Sequence, residues 1–443
     1  MKTLQAGFAR IDITPEIGVE MVGYMNVRYS QGITDPLLAT AVAVSDGDAT
    51  AVIMSLDVIG MCQEGTKMVK DIIQNVTGIS SDAIYITCTH NHLAPALAKT
   101  YDSWSEDVAG VIYKKLGGLA KMAIDDLKPA EMYVNAADTP VDISFIRRFK
   151  MKDGSTKTNP GGHNPEIDHP IGEPDRRVAL VNFIRENAPE IALINFQTHA
   201  DTVGGENFSA DFPYFVRDTY EKAVENSLCM FINGAQGDTN HYNVNYPPYR
   251  PVRYEMARHM GRVIAGVAMG IRALAQKVEG VPICAYSKIV KTQHNKAKSK
   301  EDVERSIMID KLYNEGRISE YTDAENMELV TIVDEARRII NMSKMPDIKE
   351  LHLSGLSIGG FALVGFPGEP FTEIGTKVKE ASKFDMTFAS CCTNGYEGYF
   401  PVESAYAEGG YEARTGRYKA GIAESLIAGG IEILDTLYSK SKE

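Results

Sequence analysis

Short runs of β-branched and small apolar residues recur along this chain, and most are followed by a stretch of helical period. Strand-like runs stand at 5–14, 38–44, 50–56, 83–86, 178–183, 191–196 and 228–232. Amphipathic stretches follow at 64–77, 104–126, 213–226 and 251–276. Alternation of this kind restricts the chain to an α/β fold of layered sheets flanked by helices, because each apolar face needs a partner layer. The turn at Asp46-Gly47-Asp48 joins the second and third runs as a hairpin.

The second half continues with a strand at 279–291 and a hairpin of 350–358 and 361–366 across Ile358-Gly359-Gly360. A strand at 386–390 and a closing helix at 417–438 follow. Residues 299–343 are dense in charge and helical in period. They read as a peripheral helical pair broken near Gly316, a lid or assembly surface with no chemistry implied. Residues 139–178 are rich in Gly and Pro and read as an irregular loop, either functional or solvated. That loop carries Arg147, Arg148, His163 and His169. No repeat or linker divides the chain, so one catalytic domain over 1–443 is expected.

Composition narrows the partners. A net charge of −13 excludes nucleic acid, which needs a basic face, and disfavours anionic membranes. No run of 18 apolar residues provides a spanning helix, and the N-terminus as given has no apolar leader. The six cysteines are scattered without a CxxC spacing; three sit in apolar runs and read as reduced core thiols, and the adjacent Cys391-Cys392 pair is not expected to bridge, which points to the cytoplasm. A small-molecule substrate is the expected partner.

Chemistry-bearing residues gather where the apolar runs stop. Thr87-Cys88-Thr89-His90-Asn91-His92 closes the 83–86 run. If the strand continues, His90 and His92 share a face, and both imidazoles can enter one cleft as metal ligands or as acid and base. Asp57 ends the 50–56 run, and His199 stands just past 191–196. The run at 228–232 leads into Gly237-Asp238-Thr239-Asn240-His241. Glu369 precedes a helix in Pro367-Gly368-Glu369. Tyr399 and Tyr411 lie in turn-rich segments, the latter in Gly409-Gly410-Tyr411-Glu412. In open α/β sheets ligands bind at such strand ends.

Several of these stretches recur together in one order: Asp12-Ile13-Thr14-Pro15, Gly32-Ile33-Thr34-Asp35-Pro36-Leu37, Ser55-Leu56-Asp57, Thr89-His90-Asn91-His92, Gly237-Asp238 and Pro367-Gly368-Glu369. Over about 5–415 the chain resembles the catalytic domain of the neutral/alkaline non-lysosomal ceramidases. The resemblance implies a zinc-dependent hydrolase that cleaves an amide (N-acyl) bond with metal-bound water, and a link to sphingolipids. It implies Zn²⁺ held by His90, His199, Glu369 and Tyr399, with His92 as acid and base. Tyr411 and Arg147 would act at the substrate oxygen, Arg148 being the alternative to Arg147. Beside the apparent lack of a leader, two departures from the family bear on the substrate. Asn240 stands where the family has the serine of a GDxS turn, and the chain as given has no C-terminal β-sandwich. Both departures favour a smaller, polar substrate and leave open an ester, lactone or sugar-derived compound on the same site.

Overall fold

The computed structural model describes residues 3–97, 105–246 and 252–442. Its centre is a mixed nine-stranded sheet. From one edge the order is Ser227–Asn233, Glu190–Phe196, Arg177–Arg185, Lys128–Asp138, Gln5–Asp12, Leu38–Ser45, Thr50–Leu56 and Ile84–Cys88, with Gln276–Val278 added beside Lys128–Asp138. The pairs at each end are parallel, and those between are antiparallel. The two edges come back toward each other: Ser55 Oγ donates to Phe231 O at 2.6 Å, and Asn233 Nδ2 donates to Thr89 O at 2.9 Å.

The period of two explains why the central strands are apolar on both faces. In Thr50–Leu56, Val52, Met54 and Leu56 enter one core, whereas Ala51 and Ile53 enter another. The first core lies under the helices Gln63–Thr77, Glu106–Asp125, Asp211–Ala223 and Tyr254–Arg272. The second lies between this sheet and a four-stranded one ordered Ile283–Gln293, Ile348–Ile358, Phe361–Gly365 and Met386–Ser390. A third core fills the space between that sheet and the helices Thr372–Glu380 and Ile422–Lys440. The layers therefore run helix, sheet, sheet, helix, as the alternation predicts. Each fully buried Ile or Leu in these cores contributes about 2 kcal/mol of apolar transfer.

Four local expectations change. The strand before the histidines stops at Cys88 and does not continue through His92. Residues 139–178 are not an irregular loop: Thr156–Thr158, Arg148–Met151 and Ile167–Pro170 form a small antiparallel sheet, with Gly154 at φ +84° in its tight turn. The second helix begins at Glu106, where Ser105 Oγ accepts the Val108 amide at 3.3 Å; residue 104, the expected start, lies outside the described residues. The closing helix starts at Ile422, and short helices at Glu403–Glu408 and Tyr411–Thr415 precede it.

The charged stretch forms the expected pair, Lys300–Asn314 and Asn326–Ser343, with Gly316 left-handed after the first. Ile309, Val333 and Ala336 join the two helices, and Met25 packs against them. Among the described residues, no helix is long and apolar enough to cross a membrane.

Candidate metal centre

Asp57 organises the loop that carries the first two histidines. It is fully buried and takes both arms of Arg217, at 2.9 and 2.6 Å. Its carbonyl accepts Asn91 Nδ2 at 3.0 Å, and Asn91 Oδ1 accepts the Leu93 amide at 2.7 Å. The backbone turns at His90, whose φ of +63° lies in the left-handed region. This turn, rather than strand alternation, brings His90 and His92 to one site. His199 reaches it from the end of Glu190–Phe196, where Ala200 bridges Asn91.

Glu369 and Tyr399 arrive together. The two-residue strands Glu369–Pro370 and Tyr399–Phe400 pair in parallel, with Glu369 opposite Tyr399. Gly237 lets this ladder approach: a Cβ there would stand 2.5 Å from Glu369 O.

Each imidazole is fixed through Nδ1. His90 donates to Ile59 O at 2.8 Å, His92 to Gly23 O at 2.8 Å, and His199 to Gln236 O and Thr239 O at 2.9 and 3.0 Å. These bonds set the neutral tautomer that leaves each Nε2 lone pair free, as metal-binding histidines require. The ligand atoms of the three imidazoles lie within 4.8 Å of one another. Glu369 Oε2 stands between two of them, 3.1 Å from His90 Nε2 and 3.1 Å from His199 Nε2. Ligands of a tetrahedral zinc ion are about 3.3 Å apart, from bonds of about 2.0–2.1 Å. His90 Nε2, His92 Nε2 and Glu369 Oε2 are buried without a hydrogen-bond partner. Buried polar atoms are seldom left so, and the donor set fits a divalent cation.

The electrostatics agree. Burial disfavours the charged Glu369, but His90 and His199 outweigh it and hold the carboxyl well below its usual range. Burial lowers His90, yet the nearby Glu369 charge overcomes this and raises it. His199 stands against the same carboxylate but is lowered, by burial and by the Arg147 charge. Burial and the charges of the other two histidines push His92 down to about 3.

Of the two arginines, Arg147 faces the site. Its Nη2 donates to Tyr399 Oη and Gly237 O, both at 3.0 Å, and its Nε bonds Glu412 Oε1 at 2.6 Å. Arg148 turns to Glu408 and Gly409 O. Tyr411 packs edge-on against Tyr399, with ring centroids 5.7 Å apart. Asn240 lies in the short strand that gives Thr239 O to His199, but its own amide is engaged elsewhere: Nδ2 donates to Asn159 Oδ1 and Oδ1 accepts the Tyr242 amide, both at 3.0 Å. Of the loop histidines, His163 bonds Tyr246 O and His169 pairs with Asp168 at the surface.

Sequence reasoning missed four contributors. Tyr396 donates to Glu369 Oε1 at 2.8 Å. Glu412, fully buried, holds Arg147. Asp201 stands 3.4 Å from His241, and Asp334 accepts the Tyr411 hydroxyl at 3.1 Å. Tyr396 and Glu412 fall inside Gly-rich stretches that the sequence marks as turns, whereas nothing marks Asp334.

A mixed α/β fold of four layers, with a buried histidine–carboxylate cluster at its strand ends, defines the class. No protein-family model and no curated protein sequence matches the chain. Among solved structures, neutral ceramidase from Pseudomonas aeruginosa is similar with a TM-score of 0.75 and 17% identity, over 99% of this chain and 75% of that one. A ceramidase complexed with C2 is similar with a TM-score of 0.74 and 17% identity, over 99% and 76%. The chain has a neutral-ceramidase-like fold.

Proposed function

We propose that this chain, read as one catalytic domain, is a zinc-dependent hydrolase that cleaves an amide (N-acyl) bond of a small molecule. The observation that carries this reading is the gathering of the ligand atoms of three imidazoles within 4.8 Å of one another, with Glu369 Oε2 at 3.1 Å from two of them and each imidazole fixed by an Nδ1–H bond to a carbonyl. His90, His199, Glu369 and Tyr399 would hold the ion. Bound zinc with an open position supplies Lewis acidity and a water pKa of about 7.

The chain's own residues supply the rest. His92, anchored at Nδ1 by Gly23 O, offers Nε2 to take a proton and return it to the leaving amine. Arg147, oriented by Glu412, brings a fixed positive charge to the side where the scissile oxygen gains charge. Tyr411 lines the substrate side. Asn240 belongs to the wall beside His199, since both ends of its amide are engaged.

A second reading, hydrolysis of an ester, lactone or sugar-derived compound, gains support from the carboxylate of Asp334 on Tyr411, which makes that wall polar. The unbridged cysteines, five of them buried, support a reducing compartment. The test is metal analysis of the protein after zinc is supplied, followed by a panel of N-acyl, ester and lactone substrates. One zinc per chain and amide cleavage are expected. Absence of bound zinc refutes the enzyme reading, and cleavage confined to oxygen esters selects the second.

A further inference from the structure

The two site tyrosines are wired with opposite polarity. Tyr411 Oη lies 3.1 Å from Asp334 Oδ2. Asp334 Oδ2 accepts that bond, so the single phenol proton of Tyr411 points to Asp334 and its oxygen has only lone pairs left for the cleft. At Tyr399 the order is reversed. Arg147 Nη2 donates to the phenol oxygen at 3.0 Å, which leaves the Tyr399 proton to point inward, where His199 Nε2 lies at 3.5 Å.

Asp334 does not belong to the sheets that carry the other site residues. It sits on Asn326–Ser343, the second helix of the charged pair. Of the basic groups around it, Arg337 bonds Asp310 at 2.8 Å and Asn314 at 3.2 Å and pairs more loosely with Asp334 at 3.9 Å, while Arg414 bonds Glu335 and Glu328. The same pair also touches the opposite wall, where Tyr313 Oη donates to Asn26 Oδ1 at 3.0 Å, in the loop whose Gly23 anchors His92.

We propose that Asp334 is a positioning residue that makes Tyr411 a hydrogen-bond acceptor, so that the substrate carries a donor, a hydroxyl or an ammonium group, beside the scissile bond. The substrate half rests on the hydrolase reading, whereas the tie between Asp334 and Tyr411 does not. This role differs from that of an oxyanion donor, which needs the phenol proton free. It also gives the helical pair a part in substrate selection.

Two measurements decide it. Ultraviolet difference titration of the wild type against Tyr411→Phe isolates the ionisation of residue 411. Asp334→Asn is expected to shift that ionisation to lower pH, and Asp334→Ala serves should the first variant not fold. An unchanged curve overturns the proposal. In the zinc-loaded protein, substrates are compared in pairs, one with a hydroxyl or ammonium group beside the scissile bond and one without. Tyr411→Phe is expected to raise KM for the donor-bearing member about tenfold or more, while kcat changes less than about threefold. A kcat loss of about a hundredfold at constant KM makes Tyr411 the oxyanion donor and overturns the proposal. If the wild type cleaves no member of the panel, the hydrolase reading fails, and the titration alone judges the tie.

Discussion

Glu369 and Tyr399 face each other across a two-residue parallel ladder, and that ladder carries the carboxylate to 3.1 Å from two imidazole nitrogens. Glu369 is about 1% exposed and its second oxygen is held by Tyr396. Glu369→Ala should therefore weaken zinc binding by more than about a hundredfold, since even residues behind a metal ligand cost 10–100-fold. Zinc content by elemental analysis, with the fold checked by circular dichroism, tests this. A folded variant with full zinc would remove Glu369 from the ligand set.

Arg147 is held by Glu412 through a buried ion pair, and Thr158 Oγ1 donates to the other Glu412 oxygen at 2.8 Å. Glu412→Gln keeps the shape but removes the charge that orients the guanidinium. We expect kcat to fall by about tenfold to a hundredfold with zinc content unchanged, because a displaced electrostatic donor costs the transition state most. Steady-state kinetics beside metal analysis separates the two effects, and equal losses of both would mean that Glu412 supports the ligand set instead.

Removing Asp57 leaves the buried Arg217 guanidinium without its carboxylate. Breaking one side of such a pair costs about 3–5 kcal/mol. Asp57→Ala should lower stability by that amount in urea unfolding, and Asp57→Ala/Arg217→Met should recover part of it. Additive losses in the double variant would show that the pair is not the source.

The layers were legible because apolar runs announce buried strands, and the strand ends carrying His90, His199 and Glu369 were legible because those runs stop abruptly, whereas Tyr399 stood out only as part of a turn-rich segment. The partners that orient them were not. Tyr396, Glu412 and Asp334 meet their targets across 27, 265 and 77 residues of chain, and such meetings are set by the stacking of layers rather than by local pattern. The turn at His90 was hidden for a different reason: its positive φ is stabilised by bonds from Asn91 to Asp57 and Leu93, and neither residue advertises a left-handed neighbour. The short sheet in 148–170 was masked by the Gly and Pro residues that make its turns.

His92 poses the sharpest question, because its ligand atom joins those of His90 and His199 within 4.8 Å while resemblance gives it the proton. The geometry favours the division of labour: Glu369 Oε2 stands 3.1 Å from the Nε2 atoms of His90 and His199. His92→Gln should keep one zinc per chain and lose about 10²–10⁴ in kcat, the span of general acid–base catalysis. Loss of zinc would make His92 the third imidazole ligand. The metal-free protein offers a second readout. His92 is lowered to about 3 in the fold from an ordinary value of 6.5. A depressed group contributes stability above its unfolded pKa and loses it as pH falls toward the folded one, here from about 6.5 down to about 3. Between pH 7 and 5 the melting temperature of the metal-free wild type should therefore fall further than that of His92→Gln, and equal falls would place His92 in contact with water rather than sealed against Gly23 and the other two rings.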